Sequence, residues 1–202
     1  DDLATTFGDK ARTKISSPQF KDIFPKLELR EDAKSKTHWM TKEYGGYTSV
    51  GIGGALSGKG ADLFIIDDPI KNKEEADSVV IREKHWGWFQ TTAFTRLEPN
   101  GVLILILTRW HLDDLAGRIL SNPEYLRRTE LISFPAIAEE DEKYRKKGEA
   151  LWSFRFPIEE LESIKKSSDV VNFQSIYQQN PLSGETQDFK QEYFSYFEES
   201  EL

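Results

Sequence analysis

Cysteine is missing from this sequence of 202 residues, which removes structural disulfides and thiolate metal sites and leaves an intracellular location open. Long hydrophobic runs are missing too. The longest, Val102 to Leu107, falls far short of the roughly 20 apolar residues that span a bilayer, and there is no secretory hydrophobic segment. A soluble chain with no membrane role is expected. Nor is there an excess of positive charge: 27 Lys and Arg stand against 35 Asp and Glu, a net charge of -8. That balance argues against a broad duplex-binding surface and leaves local contacts open. The densest basic stretch, Lys143-Tyr144-Arg145-Lys146-Lys147, reads either as a solvated face or as a minor nucleic-acid contact. Internal repeats are absent.

What is present is enough for one domain-sized core, with 38% hydrophobic and 12% aromatic residues. Small and apolar residues at Leu3, Ala4, Phe7, Ala11 and Ile15 predict a helix with one buried stripe. Thr37 to Val50 predicts a β-hairpin, with Gly45-Gly46 where the turn needs positive φ. After a glycine-rich stretch, the run from Asp62 to Ile66 ends in Asp67-Asp68-Pro69 and reads as a strand buried on both faces of a parallel sheet. A helix from Glu74 to about Thr92, a turn at Glu98-Pro99-Asn100-Gly101 and a second buried strand from Val102 to Leu107 follow. Strand, helix, strand is the pattern of a right-handed crossover, so the expected fold class is α/β, a mostly parallel sheet with flanking helices. A helix opened by Asp113-Asp114-Leu115, a third core strand over Glu130 to Phe134, and helices over Ile158 to Ser167 and Val171 to Gln179 complete the expected elements.

Gly53 to Gly60 fits G-x-x-x-x-G-K but places Gly60 where a phosphate-binding loop needs Ser or Thr. Its context is also wrong, because a strand rather than a helix is expected two residues after Lys59. The glycines read better as a sharp turn into that strand. Asp67 and Asp68 carry more chemistry. Carboxylates at the C-terminal end of a parallel strand lie on the edge where α/β sheets bind ligands. In a nucleotide hydrolase one acid holds Mg²⁺ and the other orients the attacking water; the plain alternative is that Asp68-Pro69 only ends the strand. Thr108 and Arg109 follow the second strand to the same edge. Thr108 could meet a γ-phosphate or its water, and Arg109 either meets phosphate or forms an ion pair with Asp67, Asp68 or Asp113. His111, Asp113 and Asp114 read as a metal cluster or as acids favoured by a helix start. Trp86, Trp88 and Phe89 read as core packing or as base-stacking groups.

The ordered series DLATTFGDKAR, FKDIFP, GALSGKGADLFIIDDPIKNKEEADS, TRLEPNGVLILILTRWHLDDLAGRI, FPAIAEE and FQSIYQQNPLSGE resembles the terminase large subunit of tailed phages and prophages over nearly the whole chain. The resemblance implies an additional-strand P-loop ATPase domain over 1–182, here without its Walker A strand and loop, and a linker over 183–202 toward an RNase H-like nuclease domain beyond it. It implies Asp67 as the Walker B Mg²⁺ acid, Asp68 as the catalytic carboxylate, Thr108 as the coupling-motif residue and Lys59 as a basic residue acting toward a neighbouring subunit; Arg109 is expected beside the nucleotide from its place after the second strand alone. ATP and Mg²⁺ are the implied cofactors, expected only together with the Walker A segment, so the chain alone is expected to be inactive. Double-stranded phage DNA, the portal protein, the small terminase subunit and a homo-oligomeric ring are the implied partners, in the bacterial host cytoplasm. Many relatives carry Glu where this chain has Asp68. The rival expectation is a non-catalytic prophage remnant acting as an interaction or DNA-binding module.

Overall fold

The structure, a computed structural model, describes residues 2–54, 56 and 58–182. The expected linker over 183–202 lies outside the described residues. Two small sheets and two apolar clusters organise the rest, and in each case residue pattern explains the element.

The chain opens with helix α1 (Asp2–Ile15) and helix α2 (Pro18–Ile23), which Ser17 caps by accepting the Phe20 N–H. An antiparallel sheet follows, β1 (Leu29–Lys34), β2 (His38–Thr41) and β3 (Gly46–Thr48), in the order β1-β2-β3. The predicted hairpin is β2-β3. Its left-handed residue, however, is Tyr44 (φ 65) and neither of the glycines, and a third strand, β1, extends it. Trp39 is buried against Tyr47, with rings stacked at 5.1 Å. Helix α1 lies against the turn between β1 and β2 so closely that a Cβ on Gly8 would lie 2.1 Å from the Lys36 carbonyl oxygen.

The second sheet is a parallel pair, β4 (Ala61–Asp67) and β5 (Leu97–Ile106), in register from Leu63↔Val102 to Asp67↔Ile106. The expected strand, helix, strand crossover is present. In place of one helix over Glu74 to Thr92 there are α3 (Lys73–Asp77) and α4 (Val79–Trp88), broken at Ser78, which caps α4, and a π-helical turn over Phe89–Ala93. The predicted turn at Glu98 to Gly101 falls inside β5, where Asn100 (φ 68) marks an irregularity. After β5 come α5 (Leu115–Ser121), α6 (Pro123–Leu126), α7 (Ile158–Ser167), α8 (Val170–Asn172) and a π-helical turn, Phe173–Tyr177. The fold is α/β, with a small parallel sheet and flanking helices; the larger sheet is antiparallel, so the expectation of a mostly parallel sheet is corrected.

One face of the β4-β5 pair carries the first core: Ile66, Phe89, Ala93, Leu115 and Ile119 are buried, packed by Phe64, Trp88, Leu103 and Leu105. Trp86 stacks on Phe89 at 5.5 Å and meets Tyr125 edge-on, so these aromatics pack the core. The other face corrects the expectation of double burial. Leu63, Ile65 and Val102 are each 54% exposed, and Ile104 and Ile106 stand beside them on the same face. Period-two alternation put both faces in apolar hands, and helices cover only one.

Glu130 to Phe134 forms no strand, contrary to the expected third one, and Leu131, Ile132 and Phe134 are exposed. Its C-terminal neighbour is clamped by a side chain. Ile137 forms an antiparallel bridge with Ala150, and the Gln178 amide takes its remaining backbone groups, accepting from the Ile137 N–H (3.0 Å) and donating to the Ile137 carbonyl (2.9 Å) above the second core of Ile137, Leu161 and Phe173. Gln179 (φ 57) accepts from the Phe134 N–H at 2.7 Å. Gln178→Ala strips both groups of buried Ile137 of their partner, so a loss of about 3 kcal/mol in urea unfolding is expected; an unchanged midpoint would remove this clamp from the account of stability.

Candidate functional site

β4 and β5 end together, and the residues just past their ends meet there. Asp67 pairs in register with Ile106, and the Asp68 N–H donates to the Ile106 carbonyl at 2.8 Å, carrying the ladder one residue beyond β4. Thr108, two residues past β5, points its N–H at Asp68 Oδ1 at 3.5 Å, the long limit of such a bond. Asp67, Asp68 and Thr108 are thus assembled at the C-terminal edge of a parallel pair. Asp67 is exposed and has no ion pair or hydrogen bond from its carboxylate among the described residues.

Asp68 has φ 42, in the left-handed region, and precedes Pro69, whose ring further restricts the residue before it. Such a backbone costs of order 1 to 3 kcal/mol and clusters at working sites. Hard oxygen donors fit Mg²⁺, which typically takes one or two carboxylates and keeps the rest of its shell for water and phosphate. The Asp67 and Asp68 carboxylates at this strand end are donors of that kind, although no group of three or more His, Asp or Glu residues able to enclose a metal occurs among the described residues.

Arg109 does not join this group. Its Nε donates to Asp114 Oδ2 at 2.7 Å, the side chain is 14% exposed, and Asp114 is 3% exposed. Of the ion-pair partners expected for it, Asp67, Asp68 and Asp113, none is the one found. Lys59 lies at the opposite edge of the sheet. β4 starts at Ala61, so Asp67 is about 20 Å away at 3.3 Å per strand residue, and the lysine donates to Thr48 Oγ1 (3.2 Å) beside His38 of the antiparallel sheet.

The adjacent acids that resembled a metal cluster are structural. Asp114 caps α5, accepting the Gly117 N–H at 2.7 Å, and burial pushes its carboxyl up against the opposing pull of Arg109. Asp113 turns outward to Arg118 (2.7 Å) and Arg82 (3.1 Å); its hydrogen bond to Arg118 holds it below the usual carboxylate range. Arg118 also reaches Glu83, so the loop after β5 is tied to α4. Sequence reasoning missed this network. The available signal was an aspartate three residues before Gly117 with arginines at 109 and 118.

His111 accepts the Asp113 N–H on Nδ1 at 2.9 Å, a role open only to the neutral ring. Burial, then Arg82, holds its pKa below the ordinary 6.5. A lowered histidine means the unfolded chain binds protons more readily as pH falls through about 6.5, so this contribution is complete above that pH and fades below it. His85 shifts the same way, also through burial, while Asp114 runs in the opposite sense. Urea midpoints at pH 7.5 and 5.5 should therefore show a larger acid loss for the native chain than for His111→Gln. Equal losses would rule out the histidine's part.

Among the described residues no helix is long and apolar enough to cross a membrane. A search of curated proteins gives no match. The family model described as terminase large subunit, T4likevirus-type, N-terminal matches residues 10–184. That span takes in the acids after β4, Thr108 after β5 and the glutamine clamp alike, and the chain belongs to the terminase large subunit family, which ties it to phage DNA packaging.

Proposed function

We propose that this chain supplies the hydrolysis side of the ATP-driven motor that packages double-stranded DNA into phage procapsids. The observation that carries the reading is the convergence of Asp67, Asp68 and Thr108 at the carboxyl edge of the parallel pair, with the Asp67 carboxylate unpartnered among the described residues and Asp68 in a strained backbone. In this reading the fold is that of an additional-strand P-loop ATPase. The edges of the β4-β5 pair, unpaired among the described residues, would receive the strands that bring the phosphate-gripping loop, and the elements joining them would cover its open apolar face.

Asp67 would hold Mg²⁺, which when bound offsets the charge of the β- and γ-phosphates. Asp68 orients the attacking water and accepts its proton. In this reading the Thr108 hydroxyl would meet the γ-phosphate or that water. Arg109 and Lys59, both placed away from the acids, take no part in holding the nucleotide; Lys59 faces the antiparallel sheet, and any action toward a neighbouring subunit starts from that edge. Without phosphate-loop amides and their lysine the phosphates are neither positioned nor neutralised, so this chain alone turns over no ATP. Portal protein, small subunit and a ring of copies belong to the intact motor under the same reading.

The test is Mg-ATP hydrolysis by a terminase large subunit holding both these residues and a phosphate-binding loop. Turnover that survives Asp67→Asn overturns the reading. The open sheet face also suits a second reading, a non-catalytic prophage remnant that serves as an interaction or DNA-binding module. Stop codons on both sides of the coding segment would favour it; an in-frame Walker A upstream would favour the motor.

A further inference from the structure

We propose that Asp114 and Arg109 act as one positioning unit that fixes the loop between β5 and α5, and with it Thr108, against Asp68. The inference rests on the ATPase reading for its catalytic consequence and on geometry for the rest. Among the described residues Thr108 has a single link to the acids, a backbone N–H at the long limit of 3.5 Å, so its placement depends on what holds the loop. Arg109 is the next residue. Its guanidinium reaches five positions ahead to a carboxylate that is 3% exposed, and the second oxygen of that carboxylate holds the first turn of α5 through the Gly117 N–H. One buried side chain therefore joins the residue after Thr108 to the helix that packs the core beneath the sheet.

The loop is also held by its own backbone. The Trp110 N–H turns back to the Thr108 carbonyl at 3.0 Å, and the Asp114 N–H to the His111 carbonyl at 3.2 Å. A Cβ on Gly117 would sit 1.9 Å from the Leu112 carbonyl oxygen, so the loop lies directly on the first turn of α5. The neighbouring acid does different work, binding Arg118 and Arg82 on the outer side. Losing the Arg109 pair frees the inner side, which carries Thr108, while the link to α4 stays.

The variants Arg109→Gln, Asp114→Asn and the double replacement decide it, made in a terminase large subunit that includes the phosphate-binding loop. Asparagine keeps the capping acceptor for Gly117, so the helix start survives. Each single variant is expected to lower kcat by about a hundredfold, the cost of a misplacement near 1 Å, with ATP affinity within about twofold of the parent. The double variant should be no worse than either single, since the two side chains act as a unit. Additive losses overturn the proposal. So does a tenfold loss of ATP affinity confined to Arg109→Gln, which would mean direct phosphate contact, or a fall in activity that tracks the fraction unfolded. If the parent protein hydrolyses no ATP, the ATPase reading fails instead. Amide exchange over 108–114 then decides the positioning: equal acceleration in all three variants supports it, and unchanged exchange refutes it.

Discussion

Asp68→Asn lowers ATP turnover by the intact terminase motor about a thousandfold, the usual share of a positioned proton acceptor, and leaves the fold in place. Asparagine is nearly isosteric, tolerates φ 42 as readily as any residue except glycine, and still offers Oδ1 to the Thr108 N–H. Only the capacity to take a proton from water is lost. Asp68→Gly separates the chemistry from the strain. It removes the carboxylate and also relieves the left-handed backbone, so it should match the activity loss while raising stability by up to about 1 kcal/mol. Asp67→Asn, losing a metal ligand in place of a base, should add a steeper Mg²⁺ requirement. An Asp68→Asn protein that keeps a tenth or more of parental turnover would remove Asp68 from catalysis and leave its strain without a functional cause.

Self-association is the second large effect expected, and it belongs to the 202-residue chain by itself. Leu63, Ile65, Val102, Ile104 and Ile106 form one contiguous half-exposed face, and the strands beneath them have unpaired edges among the described residues. Fully burying such a side chain is worth roughly 1.5 to 3 kcal/mol, so a half-exposed one has about 1 left to gain. Two faces together gain about 10 kcal/mol, within the 4 to 15 that association costs, and edge pairing adds to it. The chain should elute larger than a monomer at tens of micromolar. Leu63→Thr, Ile65→Thr and Ile104→Thr together should restore a monomer with unchanged circular dichroism, because threonine keeps its preference for strands. A native chain that stays monomeric at millimolar concentration would show that the face is adequately covered.

The two parallel strands were legible because unbroken apolar runs ending in carboxylates have few other uses. The acids at their ends came with them. Helix starts read well where the capping side chain is local, as at Asp114. What failed was whatever depends on distant partners. Glu130 to Phe134 has the composition of a strand, yet pairing needs a neighbour, and Gln179 takes the Phe134 N–H instead. The same absence of a partner layer leaves one face of β4 and β5 open where composition implied burial. Arg109 shows the limit at a single residue. Spacing offered three acids to it, and the one it chose is the most buried, a fact fixed by how α5 docks and not by any pattern in the chain. Lys59 lies just before β4, as its place in the sequence requires, at the strand end away from Asp67.

The parallel register has a further consequence, for the order in which the molecule comes together. Strands β1, β2 and β3 pair with neighbours a short turn away, so the antiparallel sheet closes early at little entropic cost. Leu63 and Val102 lie about 40 residues apart and cannot pair until α3, α4 and the aromatic turn have collapsed between them, which makes this the slow closure. The acids are therefore brought to Thr108 late in folding. Newly made chains expose the apolar strands for that interval, and substitutions that loosen Phe89 or Trp86 would reveal themselves first as poor recovery of folded protein.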